Sequence, residues 1–448
     1  MNAPDVNDAK NTQATKLPFL DELEWRGMLH QTTATREAVA AHLSTPGRIG
    51  YAGFDPTSNS LTIGNFIPIK LLMHLQRAGH RPIALIGGAT GLIGDPSGRD
   101  SERKLLSEEQ VRANVEGQTA VLQRFLDFDP ATPNRAMVVD NAEWLRTLGF
   151  LEVLRSVGKY FSVNAMIQKD SVRTRLESRE QGISYTEFSY MLLQAYDFLH
   201  LKREHGCSVQ IAGSDQYGNI VAGVDLIHHH HGREGSEAEA YGVTAPLLLD
   251  SAGNKVGKSA GASVWLTADR TSPYAFYQYW INTPDADVAN ALRWFTFLNR
   301  EAVDELLAVQ AKAPHERTAQ RALAAEMTAL VHGREQLAKV EAASRALFDG
   351  EVRALDAEML EQVFADVPHT QHARDSLGGE GVSLVELLPE TSLAKSRREA
   401  RQFLQSGAVS VNGERIDAER RLGADDLLHG ATILIRRGKK LWHATTWQ

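Results

Sequence analysis

Tyr51-Ala52-Gly53-Phe54-Asp55-Pro56-Thr57, followed by Leu61-Thr62-Ile63-Gly64-Asn65, is an apolar extended run that breaks at Asp-Pro and re-enters helical spacing. A strand that hands over to a helix through such a turn leaves free backbone N–H groups and a positive dipole end, which suit a phosphate. Extended apolar runs recur at Arg48–Phe54, Pro82–Gly87, Ala136–Val139 and Val209–Gly213. Between them the spacing is helical, as in Ile67–Ala78 and in the stretch from Ser107, where Val111, Val115, Leu122 and Phe125 share one face. Pro68 reads as a first-turn residue of its helix, where a missing N–H costs nothing. Alternating strands and helices predict a doubly wound α/β fold, a parallel sheet covered on both faces, with ligands at the carboxyl ends of the strands.

Working outward, strand signals stop at about residue 269, and helical spacing takes over through Val288, Leu292, Phe295, Leu323, Met327, Leu330 and Val331. The expected division is a Rossmann-like catalytic domain over 1–245, a lysine loop and connection over 246–268, an all-helical domain over 269–349, a linker over 350–381 and a small α+β domain over 382–448. The chain of 448 residues carries a formal charge of -8, which argues against a surface that attracts nucleic acid everywhere. Charge is unevenly spread, since from Val382 onward 11 Lys and Arg face 8 Asp and Glu. Cys207 is the single cysteine, so no internal disulfide or cysteine metal cluster can form. It reads as a small buried apolar residue in a reducing compartment. Met1–Lys16 has no signal pattern and no apolar run reaches membrane-span length, so a cytoplasmic location is expected. His228–His231 reads as a solvated turn beside Gly232 rather than a metal site.

Four further segments carry candidate chemistry. Gly87-Gly88-Ala89-Thr90-Gly91-Leu92-Ile93-Gly94-Asp95, with Arg99 and Arg103 beyond, crowds glycines behind a strand and adds two cations suited to an anion; the alternative is a surface loop. Tyr190, Gln194 and Asp197 stand at i, i+4 and i+7 on a helix that is otherwise apolar. Buried polar groups need partners, supplied either by a structural network or by a ligand. Gln210-Ile211-Ala212-Gly213-Ser214-Asp215-Gln216 is a buried-type strand running into polar sequence. Finally, Gly253-Asn254-Lys255-Val256-Gly257-Lys258-Ser259 falls one residue short of the phosphate loop G-x-x-x-x-G-K-[ST], and Ala262–Leu266 after it looks extended where that loop needs a helix. It reads as a loop with two lysines.

In order and spacing these segments resemble the bacterial-type tyrosyl-tRNA synthetases of class I, most densely from Arg48 to Ser259. Lys255-Val256-Gly257-Lys258-Ser259 is similar to their K-M-S-K-S loop, and Thr62-Ile63-Gly64-Asn65 sits where their H-I-G-H motif belongs. The resemblance implies that Tyr51 and Asp197 bind the tyrosine hydroxyl and that Asp95, Tyr190 and Gln194 hold its ammonium group, with Gln210 and Gln216 lining the same pocket. It assigns ATP to Gly53, Asp55, Gly64, Gly213, Asp215, Leu247, Leu248, Lys255, Lys258 and Ser259. Around the departing pyrophosphate it puts Thr57, Arg99, Arg103, Lys255 and Lys258, which with Thr62 and Asn65 make up the implied catalytic set. ATP with magnesium, tyrosine, tRNA and a homodimer follow from the same resemblance, and no resident protein metal does.

Both signature histidines are replaced, by Thr62 and Asn65, which still offer a hydroxyl and an amide donor. Ser392–Gln405 reads as a helix bearing Lys395, Arg397, Arg398 and Arg401, and Val409–Glu414 as a hairpin with an Asn-Gly turn. Together they resemble the small RNA-binding module at this end of the bacterial enzymes, which implies phosphate contacts with tRNA. A tryptophanyl relative would have no use for a carboxylate at Asp197. An RNA-binding paralogue without activity would need neither Asp95, Gln194 and Asp197 nor the two lysines.

Overall fold

The computed structural model describes residues 17–95, 106–168, 172–173, 183–253, 256–259, 262–365, 367–417, 419–438 and 441–448. They form two compact units, one of 1–270 with Thr283–Leu323, the other of Thr271–Asn282 with Ala324–Gln448. The helical stretch expected as one domain is therefore shared between them.

In the first unit β1 (Gln31–Thr32), β2 (Ile49–Phe54), β3 (Arg81–Ile86), β4 (Met137–Asp140), β5 (Val209–Gly213) and β6 (Tyr241–Ala245) form one sheet in the order β1-β6-β5-β2-β3-β4. All pairs are parallel except β1 with β6, which closes one edge antiparallel. The chain builds outward from β2 to β4 and then returns to β5 beside β2, so strand order reverses between β2 and β5. A crevice opens at such a switch point because the connections leave in opposite directions. Tyr51 of β2 lies opposite Gln210 of β5 in register, which puts two polar side chains just below that crevice. The four strands read from the sequence are all present; β1 and β6, with two residues and an ordinary Gly-Val-Thr pattern, were not foreseen.

Four helices carry the rest of the first unit's site: α1 (Ile63–Arg77), α2 (Glu108–Phe125), α3 (Tyr185–His205) and α4 (Tyr217–His231). Ser184 caps α3 by accepting from the Glu187 N–H, and Gly206 ends it at φ +69°, a left-handed position that glycine adopts without strain. Met191, Phe198, Leu199 and Leu201 of α3 are buried with Ile220 and Ile227 of α4; each such side chain contributes about 1.5–3 kcal/mol. That apolar packing is what encloses the polar face of α3. Ser107 and Gln110 form a capping box at the start of α2.

Helix α1 begins earlier than its apolar spacing suggested, at Ile63. Pro68 is therefore not in the first turn but in the second, where its missing N–H leaves the Gly64 carbonyl without an intrahelical donor. His228–His231 likewise form the last turn of α4 rather than a loop, with Gly232 at φ +81° ending it. His229 stacks on Tyr160 at 5.0 Å, and His230 contacts Arg203 at 3.0 Å and accounts for the Ser156 carbonyl at 3.2 Å.

The second unit includes helices Pro273–Ile281, α5 (Arg334–Asp349), α6 (Ala357–Phe364) and α7 (Arg397–Gln405). With β7 (Lys258–Ser259) and β8 (Ala262–Ser263) pairing in the first unit, its own strands are β9 (His369–His372), β10 (Val382–Ser383), β11 (Val409–Val411), β12 (Glu414–Arg415), β13 (Arg421–Leu422), β14 (Thr432–Arg437) and β15 (Leu441–Trp447). Five of them form a sheet in the order β12-β11-β14-β15-β9. The Asn412-Gly413 turn joins β11 to β12, with φ +48° and +87° at its two residues, as a two-residue hairpin requires. Residues 350–381, expected as a linker, hold α6 and β9, and β9 pairs in parallel with β15. Its His-Thr-Gln-His sequence lacks the apolar alternation by which strands are recognised.

Candidate active site

The crevice between β2 and β5 holds a cavity of about 630 Å³. Tyr51, Gly53, Asp55, Gln210, Gly213 and Asp215 reach it from the two strands and their ends; Tyr190, Gln194 and Asp197 reach it from α3. Thr57, Thr62, Gly64 and Asn65 line it from the turn and the start of α1, and Asp95, Gln216, Leu247 and Leu248 complete the wall. The segments read separately in the sequence thus converge on one space. Arg99, Arg103 and Lys255 lie outside the described residues, as do the side chains of Lys258 and Ser259.

At one end of the cavity Asp197, 3% exposed, accepts from Asn141 Nδ2 at 3.0 Å on one oxygen and from Trp144 Nε1 at 2.7 Å on the other. Burial pushes its carboxyl from 3.8 up to about 7; the Asn141 and Trp144 bonds oppose that rise, and Asp55 and Asp140 add to it. Tyr51 is fully enclosed, its phenol held well above the usual range by burial and then by the nearby Asp197. Among the described residues neither Tyr51 Oη nor Gln210 Oε1 meets a hydrogen-bond partner. Buried polar atoms in that state are costly unless an ordered water or a ligand meets them.

Asn141 and Trp144 escaped the sequence reading. The available signal was Asp140-Asn141, a polar pair directly behind the apolar strand Ala136–Val139 and so at a strand's carboxyl end. Asn141 is itself fixed, since its amide oxygen accepts from the Ala89 N–H at 2.9 Å and its Nδ2 also donates to Thr90 Oγ1 at 3.1 Å. Asp140 accepts from the Gly88 N–H at 2.9 Å, and a Cβ at Gly88 would lie 2.2 Å from that carboxylate. The glycine-rich stretch therefore serves close packing of β3 and β4 termini as much as ligand access.

Along the cavity Gln216 Nε2 donates to Asp95 Oδ2 at 2.7 Å and its oxygen accepts from Gln194 Nε2 at 3.2 Å and Asn219 Nδ2 at 3.0 Å. Tyr190 Oη donates to Asp55 Oδ1 at 3.3 Å. This chain of amides ending on carboxylates can receive a cation such as an ammonium group.

At the other end the Asp55–Thr62 turn is held from behind by α2. Gln118 Nε2 donates to the carbonyls of Asp55 at 3.1 Å and Ser58 at 3.0 Å, Asn114 Nδ2 to that of Pro56 at 2.9 Å. A Cβ at Gly117 would lie 2.1 Å from the Asn59 carbonyl, so glycine alone permits this approach. Thr62 forms an isolated antiparallel bridge with Trp265, the Ile63 N–H donates to Val264 O at 3.0 Å, and the Leu266 N–H to Leu61 O at 2.9 Å. The chain leaving the lysine loop is thereby fastened to the T-I-G-N segment.

Comparison with known proteins gives the family. The family described as class I tRNA synthetases (W and Y) matches residues 47–349, and the tyrosine–tRNA ligase SYY-like C-terminal domain matches 359–445. The chain is 48% identical over 428 residues to the tyrosine–tRNA ligase of Geobacillus kaustophilus, covering 95% of this chain and 99% of the relative. It is 46% identical over 426 residues to that of Roseiflexus castenholzii, covering 95% and 98%. A C-terminally truncated mitochondrial tyrosyl-tRNA synthetase from Aspergillus nidulans superimposes with a TM-score of 0.66 at 30% identity, over 76% of this chain and 97% of the other. A tryptophanyl-tRNA synthetase from Encephalitozoon cuniculi at 16% identity and TM-score 0.52 shares the fold. A cavity at the switch point of a parallel sheet, family matches along most of the length and relatives near half identity together establish that the chain belongs to the tyrosine–tRNA ligases, class I aminoacyl-tRNA synthetases with an SYY-like C-terminal domain.

Proposed function

We propose that tyrosine lies with its para-hydroxyl between Tyr51 and Asp197, its ammonium group on Asp95, Tyr190 and Gln194, and its carboxylate turned toward the nucleotide end. The observation that carries this reading is the enclosed, unsatisfied Tyr51 hydroxyl beside a carboxylate that two fixed donors hold in place. Gln210 and Gln216 complete the tyrosine wall; Gly53, Asp55, Gly213, Asp215, Leu247 and Leu248 take the adenylate part of ATP.

The tyrosine carboxylate is ionised at neutral pH and needs no enzyme nucleophile. One of its oxygens bonds to the α-phosphorus while the bond to the β-phosphate oxygen breaks, and pyrophosphate leaves with that electron pair. A terminal tRNA hydroxyl then attacks the carbonyl carbon, the bond from that carbon to the phosphate oxygen breaks, and AMP departs with that electron pair while its phosphate takes up the hydroxyl proton. Catalysis rests on alignment and on donors that meet developing phosphate charge, for which Thr57, Arg99, Arg103, Lys255 and Lys258 are the proposed side chains. Magnesium fits as a companion of ATP, since such ions sit on substrate phosphates with one or two carboxylates. Of the aspartates that line the cavity, Asp55 and Asp215 are the two on the proposed nucleotide side, and the ion would neutralise phosphate charge there.

Lys395, Arg397, Arg398 and Arg401 are all exposed at or on α7, and we assign them to tRNA phosphates. Charging should then weaken with added salt while ATP–pyrophosphate exchange does not. Phe150, Leu151, Leu154, Val163 and Ile167 are exposed by 64, 80, 40, 55 and 40%, an apolar group that a second copy would cover in a homodimer. No helix among the described residues is long and apolar enough to cross a membrane; a cytoplasmic site of action is part of the proposal. ATP–pyrophosphate exchange with tyrosine, tryptophan and phenylalanine offered singly tests the central reading. Tyrosine alone should support rapid exchange, and exchange with none of the three would overturn it.

A further inference from the structure

The replaced signature histidines pose a question of division of labour, and the answer offered here rests on the proposed placement of the nucleotide. Thr62 Oγ1 donates to Asn65 Oδ1 at 2.8 Å, and the Thr62 N–H donates to the same oxygen at 3.1 Å. A threonine hydroxyl has one proton to give, and here it is given to Asn65. An amide oxygen has two lone pairs, and both are engaged by one residue, which fixes the amide plane and directs its NH2 the other way. Both residues line the cavity. The Thr62 backbone is itself fixed by its bridge to Trp265. Close by, Gly257 of the lysine loop, at φ +103°, would bring a Cβ within 3.0 Å of the Gly64 nitrogen.

We propose that Thr62 is a positioning residue that acts through Asn65, so that the T-I-G-N segment presents one side-chain donor to the nucleotide, the Asn65 NH2, where two imidazoles would present two. Thr62 does not touch phosphate in this arrangement. The resemblance alone had suggested a direct hydroxyl contact, and the hydrogen bond in the structure redirects it. Loss of the Thr62 hydroxyl leaves the amide held by the Thr62 N–H alone, and loss of the amide leaves Thr62 nothing to orient.

A double-mutant cycle reads this directly. With enzyme counted by the tyrosyl-adenylate formed per chain, Thr62→Val is expected to lower kcat/KM for ATP in pyrophosphate exchange about five- to tenfold, the range for one neutral hydrogen bond. KM for tyrosine should hold, which a general loss of structure would not permit, and Thr62→Ser should restore activity. In an Asn65→Ala background, Thr62→Val should add nothing. Losses that multiply would mean that Thr62 meets the nucleotide by itself and would overturn the proposal. Should valine lower the unfolding midpoint, Thr62→Ala made in the wild-type and Asn65→Ala backgrounds carries the test. A loss confined to the wild-type background would support the proposal, and equal losses in both would defeat it. Wild-type exchange with tyrosine is the control: its absence defeats the proposed function, whereas multiplicative losses defeat only the Thr62–Asn65 coupling.

Discussion

The two ends of the cleft are built on different principles. At the end proposed for tyrosine the polar groups are buried side chains: Tyr51 is 1% and Asp197 3% exposed, and Asp197 has a donor on each oxygen. At the end proposed for the nucleotide Gly64 and Asn65 are exposed, and the turn is shaped by backbone carbonyls held from α2. Choosing between two amino acids that differ by one hydroxyl needs polar groups that suffer when left unpaired, and burial makes them suffer. The phosphates of ATP need no such choice. They need donors, a helix N-terminus and cations, all of which work at a partly solvated surface.

The contrast can be broken by substitution, and the largest effect is expected at the buried end. Asp197→Ala should reduce the ratio of kcat/KM for tyrosine over phenylalanine by about 10–10²-fold, in keeping with loss of a charged hydrogen bond in a dry site. An unchanged ratio in exchange kinetics would remove Asp197 from the specificity machinery. At the nucleotide end the sharpest test is steric. Gly117→Ala drives a Cβ into the backbone carbonyl of Asn59, and a loss of about 2–3 kcal/mol in urea unfolding is expected, near the upper range for overpacking. KM for ATP should rise with it more than KM for tyrosine; equal rises would mean that the turn does not belong to the nucleotide end alone.

Smaller effects sharpen the same comparison. Trp144→Phe removes one donor from Asp197 and should lower kcat/KM for tyrosine about tenfold, roughly the value of one hydrogen bond to a charged group. Its stacking partner His200, at 4.3 Å, would be retained by the phenyl ring. The least change is expected in pH dependence. Asp197 titrates near pH 7 in the folded enzyme against 3.8 as its ordinary value, so kcat/KM for tyrosine should fall as pH drops through 7 and the acceptor is protonated. Trp144→Phe removes a bond that favours the charged form and should move this limb to higher pH. Stability runs the other way: the folded pKa is raised, so this group's contribution is full below about pH 4 and is lost as pH rises through 7. Thermal midpoints of the unliganded protein that rise over that interval in the wild type but not in Asp197→Ala would contradict this assignment.

Much of this was legible in the sequence because strands buried on both faces write themselves as apolar runs. Four of the six sheet strands could be read that way, and the crevice followed from their alternation with helices. The groups that touch the cavity were legible through turn glycines and through the spacing of Tyr190, Gln194 and Asp197. What escaped were groups whose meaning is tertiary. Asn141 and Trp144 lie 56 and 53 residues from Asp197, and no local pattern announces them. Strand β9 escaped because an edge strand need not be apolar, and Pro68 was misplaced because apolar spacing marks a helix's buried face and not its cap.

One junction in the second unit bears on how this protein could be cut. Gly413, in the Asn-Gly turn, leaves room for only 1.5 Å between a would-be Cβ and the carbonyl of Gly350, the residue that ends α5. Beyond that seam the chain supplies β9 to the edge of β15. A shortened enzyme that stops after residue 381 would keep one strand of a sheet whose other members are gone, and an isolated tail starting at Val382 would carry a bare edge ready to recruit foreign chains. The natural place to divide the molecule is ahead of the glycine seam.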